Sequence, residues 1–228
     1  VDQVVDDLHR RGYIVLHVAE DALMRGRAGS WAEKIRLPSL GGVSTRDLAE
    51  FDIDTPQGMV FAPSGDRTDD PDTTSLYLAR ELMQRTPGQS LTIVTNSIRL
   101  ATEMAVRPDI SVLLMGGRVR GRSLSLVGQL GDAVLERVNV HKAFLGAGGF
   151  TIEEGLTETT EEEAQIKRAM VAAVREVYAI VDSSKWGRVA SATFCPAEAL
   201  TGVITDAGAP EDMVEQLEGK GIKVMQHG

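Results

Sequence analysis

Apolar positions in this chain follow two rhythms that take turns along its length. Short unbroken runs at 91–95, 110–115, 141–145, 178–181, 202–205 and 222–225 are rich in β-branched or large apolar residues, and each closes at a polar or glycine-containing loop. That pattern predicts buried strands. Between them, apolar residues recur at helical spacing: Leu76, Ala79, Leu82 and Met83, stopped by Thr86-Pro-Gly88; then Ile98, Ala101 and Ala105. The clearest helix is predicted over 161–176, with Ile166, Met170, Ala173 and Val177 on one face. Thr160 followed by Glu163 is a capping-box spacing, and Glu161, Glu162 and Glu163 complement the positive helix start. These acids therefore read as helix-start electrostatics rather than as a metal or catalytic cluster. Strand and helix alternating at short spacing predict an α/β fold with a mostly parallel sheet flanked by helices.

The first 70 residues differ. A short helix is expected over 1–11, ended by Gly12, and a strand over 13–18; the stretch 24–64 is rich in Gly, Arg, Asp and Pro with weak periodicity. A linker is assigned to 24–40, dividing the chain into 1–23 and 41–228. No internal repeat or low-complexity segment is evident.

Composition narrows the function classes. Hydrophobic residues make up 43% and charged residues 25% of the 228, as in ordinary soluble proteins. No apolar run approaches the ~20 residues that span a bilayer, so no membrane partner is expected. Val1-Asp-Gln-Val-Val-Asp-Asp7 carries acid where a secretion signal carries base. The single cysteine, Cys195, has no partner for an internal disulfide, which suits a reducing cytoplasm. Its flanks hold no His or other base, so it reads as an inert buried thiol. The formal charge of −9 makes the chain as a whole a poor binder of a polyanion. DNA contact would need a local basic patch or further sequence.

Candidate chemistry lies in the loops. In an open α/β sheet, ligands collect outside the carboxyl ends of the strands. One helix opens with Thr73, Thr74 and Ser75, three hydroxyls at a positive helix end. Asn96 and Ser97 follow the 91–95 strand and open the next helix, where they could cap it or help to hold an anion. Gly116 and Gly117, with Arg118 behind them, follow the 110–115 strand. Gly146, Ala147, Gly148 and Gly149 follow the next, and Asp182-Ser-Ser-Lys185 the one after. Taken singly, these are caps, turns and surface cations. Their recurrence at the same end of successive strands, with hydroxyls, N–H-rich turns, one Lys and one Arg, suits a phosphate together with hydroxyl groups. His9, His17, His141 and His227 are scattered without ligand spacing, so no metal is expected. No Gly-x-Gly-x-x-Gly follows a strand, and no cofactor is expected.

In order, Thr92-Ile-Val-Thr-Asn-Ser97, Leu113-Leu-Met-Gly-Gly-Arg118, Leu126-Val-Gly128 and Val140-His-Lys-Ala-Phe-Leu-Gly146 resemble the C-terminal sensor domain of the DeoR family of bacterial regulators. The likeness continues through Gly155-Leu-Thr157, Glu163-Ala-Gln-Ile-Lys-Arg-Ala-Met170, Val181-Asp-Ser-Ser-Lys-Trp-Gly187 and Val203-Ile-Thr-Asp206, and covers about 72–226. It implies the fold of ribose-5-phosphate isomerase and glucosamine-6-phosphate deaminase. It implies, further, a repressor of carbohydrate metabolism that senses a phosphorylated sugar or related metabolite, acts as a homo-oligomer and releases operator DNA on binding. Carried over by position, Thr73, Thr74, Ser75, Asn96, Ser97, Gly116, Gly148, Thr157 and Lys185 would line the effector pocket, and Arg118 and Gly146 belong to the same loops. Val5-Asp-Asp-Leu-His-Arg-Arg-Gly-Tyr-Ile-Val-Leu-His-Val18 resembles the end of the family's winged helix-turn-helix, which makes 1–23 its remnant. Where members generally carry an Asp/Ser-Gly-Thr-Thr loop, Met59-Val-Phe-Ala62 is followed here by a longer acidic stretch before Asp72-Thr-Thr74.

Two other readings compete. A sugar-phosphate isomerase or deaminase on the same fold would need a carboxylate base over the substrate carbon. Gly148, Gly149 and Phe150 stand where the isomerases carry acids, and Glu153 and Glu154 fall in a polar loop, so no catalytic residue is assigned. A dimerisation scaffold without ligand would make the same loops mere turns and caps.

Overall fold

The computed structural model describes residues 58–62, 78–79, 91–121 and 123–227. The remnant at 1–23, the linker at 24–40 and the hydroxyl cluster Thr73, Thr74 and Ser75 lie outside the described residues. Seven strands form the main sheet: β1 (Gly58–Ala62), β2 (Leu91–Thr95), β3 (Ile110–Leu114), β6 (Val140–Leu145), β9 (Glu176–Ile180), β11 (Gly202–Asp206) and β12 (Lys223–His227). All pairings among them are parallel, in the order β12-β11-β9-β6-β1-β2-β3. The α/β class with a mostly parallel sheet, expected from the alternation, is the class observed.

Two small antiparallel units, absent from the sequence expectation, ride on this sheet. One is the hairpin of β4 (Arg118–Arg120) and β5 (Ser125–Val127). The other joins β7 (Gly149–Thr151), β8 (Gly155–Glu158) and β10 (Ala192–Cys195) in the order β10-β8-β7. The helices are α1 (Ile98–Met104), α2 (Asp132–Leu135), α3 (Glu161–Ala173) and α4 (Glu211–Gly219).

Alternation along an interior strand explains why β1 is apolar at every position from Met59 to Ala62. Val60 and Ala62 face one core, with Ala143 and Leu145 of β6 and Ala164, Ile166 and Met170 of α3. Met59 and Phe61 face the other, with Phe144, Ile93 and Leu100. A strand covered on both faces carries apolar residues without a break, the signature of a parallel sheet. On the second face Phe61, Phe144 and Tyr178 stack across three strands, with ring centroids 5.2 and 5.4 Å apart.

Helix α3 begins as its sequence predicts, with the Thr160 hydroxyl accepting from the Glu163 N–H at 3.4 Å. It ends earlier than expected. Val174 turns extended, and Val177 lies in β9 opposite Ala143 rather than on a helix face. Strand pairing claims these residues, and Val177 reaches the same core from the sheet.

Candidate functional site

The strand order sets the position of the site. From β1 the chain adds β2 and β3 on one side, then returns to lay β6 against the other side of β1. The strand order therefore reverses between β1 and β6, and in such sheets the usual place for a ligand is the crevice outside the carboxyl ends at that point.

At that crevice the turn after β6 is held by a network that starts from its own backbone. The Gly146 N–H donates to the Ala62 carbonyl at 2.8 Å, tying the end of β6 to the end of β1. Lys167 of α3 donates from Nζ to the Gly146 carbonyl at 2.7 Å and pairs with Glu158 at the end of β8. Both side chains are buried, and the ammonium also lies 5.1 Å from the Phe194 ring centroid. Two charges out of water are tolerable because each neutralises the other and the lysine has a further acceptor. Farther along the turn, the Gly148 N–H donates to the Thr157 carbonyl at 2.9 Å. The buried Thr157 hydroxyl donates to the Gly149 carbonyl at 3.1 Å and accepts from the Ala190 N–H at 2.8 Å. A Cβ on Gly149 would run into the Arg188 carbonyl, so glycine is required there by close approach.

On the β2 side, the Thr95 hydroxyl donates to the Phe61 carbonyl at 2.8 Å and accepts from the Ser97 N–H at 3.1 Å. Ser97 caps α1, its hydroxyl accepting from the Leu100 N–H at 3.2 Å. Asn96 is clasped by β5: its carbonyl accepts from the Leu126 N–H at 2.8 Å, and its Nδ2 donates to the Leu126 carbonyl at 3.2 Å. The Asn96 Oδ1 is buried with no hydrogen-bond partner. Next along the edge, the Met115 N–H donates to the Thr95 carbonyl at 2.8 Å, which sets Gly116 beside the β2 end.

Beyond β9, Ser183–Lys185 is one turn of 3-10 helix capped by Asp182, whose carboxylate accepts from the Ser184 N–H at 2.8 Å. Lys185 is buried. The loop is strapped to its neighbours: the Ser183 N–H donates to Asp206 at 2.8 Å, and the Trp186 indole packs edge-on to Phe150 while donating to the Thr205 hydroxyl at 3.1 Å.

The structure thus brings Gly148 and Thr157 into direct contact, holds Gly146 in the same turn, and sets Asn96, Ser97, Gly116 and Lys185 on the same carboxyl edge. Arg118 is not among them. It is exposed in β4 and pairs with Glu162 at the start of α3, at 2.5 Å. Sequence reasoning missed Lys167 and Glu158. The available signal was a lysine inside the apolar stripe of α3, one position from Ile166 and three from Met170. A charge on a core-facing helical position demands a buried partner. Cys195 is buried, and burial pushes its thiol up to about 12, which suits the inert role expected of it. Among the described residues, no three of His, Cys, Asp and Glu come together as a metal set, and no helix is long and apolar enough to cross a membrane.

The family model of the DeoR C terminal sensor domain matches residues 70–207, more than half of the chain. The chain belongs to the DeoR family. Among its relatives is the HTH-type transcriptional regulator YulB of Bacillus subtilis (strain 168), 34% identical over 165 residues, covering 72% of this chain and 62% of the relative. GolR of Listeria innocua serovar 6a is 34% identical over 156 residues, covering 68% of this chain and 60% of its own length. GlpR of Haloferax volcanii is 35% identical with the same coverage. The chain therefore spans about three fifths of the curated relatives it matches. Each of these relatives is named an HTH-type transcriptional regulator, and residues 70–207 of the chain match a sensor domain.

Proposed function

We propose that this sensor domain binds a phosphorylated sugar or a related metabolite at the crevice between β1 and β6. Occupancy would control operator binding by a winged helix-turn-helix domain of the same regulator, which acts as a cytoplasmic, homo-oligomeric repressor of carbohydrate metabolism. The observation that carries the reading is the glycine turn Gly146–Gly149 at the reversal of strand order, pinned from below by Lys167 and Thr157 and flanked by Asn96, Ser97 and Lys185. A turn fixed in this way keeps its shape when a ligand arrives, so little ordering cost falls on binding. The net charge of −9 assigns contact with DNA to a local basic surface, and the family's regulator names agree with a separate DNA-binding part.

Thermal unfolding of the protein against a panel of pentose, hexose and triose phosphates tests the reading. A true effector at about 100 times its Kd adds about 2.7 kcal/mol of stability. If no sugar phosphate raises the melting temperature, the sensor is not one for this class of ligand.

A further inference from the structure

We propose that Asn96 reads a hydroxyl group of the effector, its side-chain oxygen accepting the ligand's O–H, and that the phosphate is bound away from this flank of the site. The inference rests on the proposed sugar-phosphate site and assigns a role within it.

The orientation of the amide is fixed by chemistry. The Leu126 carbonyl can only accept, and it lies 3.2 Å from one end of the Asn96 amide, so that end is the NH2 group and Oδ1 points away from β5. The Asn96 backbone carbonyl is also taken, by the Leu126 N–H. The residue is thus clamped along β5, with its side-chain oxygen left as an acceptor that no donor reaches. Asn96 is 2% exposed, and Oδ1 has no donor. An acceptor buried in that way destabilises the fold until a donor reaches it. Its position makes a ligand the fitting donor. Asn96 is the first residue beyond β2, whose end is tied to β1 through Thr95, and β1 is one wall of the crevice.

An oxygen acceptor discriminates between the two halves of a sugar phosphate. Phosphate oxygens at neutral pH are acceptors themselves and are repelled, whereas a hydroxyl supplies the missing hydrogen. A second oxygen reinforces the sign. Asp132, at the start of α2, has a buried Oδ1 without a hydrogen-bond partner. It follows Gly131, which packs on the Gly116 carbonyl: a Cβ there would stand 3.2 Å from that oxygen. Gly116 leaves β3 beside the end of β2, so both orphaned acceptors lie on the β2–β3 flank. That flank takes hydroxyl donors and excludes the phosphate.

Calorimetric titration of the whole chain with hexose 6-phosphates, pentose 5-phosphates, their monodeoxy analogues and inorganic phosphate decides the matter. For a sugar phosphate that binds, removal of one particular hydroxyl is expected to weaken binding to the unaltered protein at least ~10-fold. In Asn96→Ala, the parent and that deoxy analogue are expected to bind equally, with affinity for inorganic phosphate unchanged. Asn96→Leu, which keeps the side-chain volume, is read in the same way if the alanine variant does not fold. The proposal is overturned if no deoxy analogue is discriminated, if the discrimination survives in the variant, or if the variant loses inorganic phosphate instead. Each of those results leaves the sugar-phosphate site standing. If no sugar phosphate binds the unaltered protein, the proposed function falls and takes this assignment with it.

Discussion

At the scale of single residues, Lys167 shows how a charge can serve a sheet edge. Its ammonium joins the Gly146 carbonyl, the Glu158 carboxylate and the Phe194 ring, all in a dry interior. Replacing it with methionine keeps the length of the side chain and removes the charge. Lys167→Met is expected to lose about 3–5 kcal/mol in urea unfolding, because the Glu158 carboxylate stays buried without its cation. The double variant Lys167→Met/Glu158→Leu is expected to regain most of that loss. If the single variant unfolds at the same urea midpoint as the parent, the pair does not stabilise the turn. This pair was not legible in advance, because Glu158 and Lys167 sit on different elements and only the path of β8 into α3 makes them meet. The position of Asn96 and Ser97 at the strand's carboxyl end was legible, since polar residues directly after an apolar strand have few places to go. The Arg118 ion pair was not legible, because a cation after a glycine bend shows no partner in sequence until its carboxylate, 44 residues later, comes into view.

At the scale of elements, β2, β6, β9 and β11 were readable because burial on both faces writes an apolar run, whereas β1 was not read from the pattern and β3, expected to be buried, is a partly exposed edge strand. The three-stranded antiparallel unit was not. Its strands are three or four residues long, and β7 and β8 include Gly149 and Gly155, residues that weaken any strand pattern. What makes that unit possible is a backbone approach rather than a propensity. Gly155 has φ +70°, and a Cβ there would run into the Cys195 carbonyl of β10. Gly155→Ala is therefore expected to destabilise by about 1–2 kcal/mol from the left-handed backbone alone, with further loss from parting β8 and β10. Gly121 meets nothing within 4 Å and has no positive φ, so Gly121→Ala is the control and is expected to unfold with the parent. Equal melting temperatures for the two variants would mean that β10 does not depend on this contact.

At the scale of the whole molecule, two buried groups link stability to alkaline pH. Burial raises the Cys195 thiol from 9.0 to about 12. Burial also raises the Tyr178 phenol above its ordinary 10.0, helped by its hydrogen bond to Glu176 at 2.6 Å. Both groups hold their protons more tightly in the folded chain than in the unfolded one. Their contribution is complete below the unfolded values and is lost as pH rises toward the folded ones. Unfolding free energy is thus expected to fall from about pH 9 upward, and in Cys195→Ala that decline is expected to be shallower; identical slopes would argue against a buried thiol. The order of the strands has one more consequence, and it concerns the making of the protein. β1 lies inside the sheet, between β6 and β2, and is the first of the seven strands to be synthesised, but its partner β6 is complete only roughly eighty residues later. At about 5–20 residues per second, Met59, Val60 and Phe61 leave the ribosome about 4–16 s before β6 exists to pair with them. The nascent chain carries an apolar strand without one of its two neighbours through that interval, so chaperone supply during translation, more than the stability of the finished sheet, should govern how much of this protein a cell obtains.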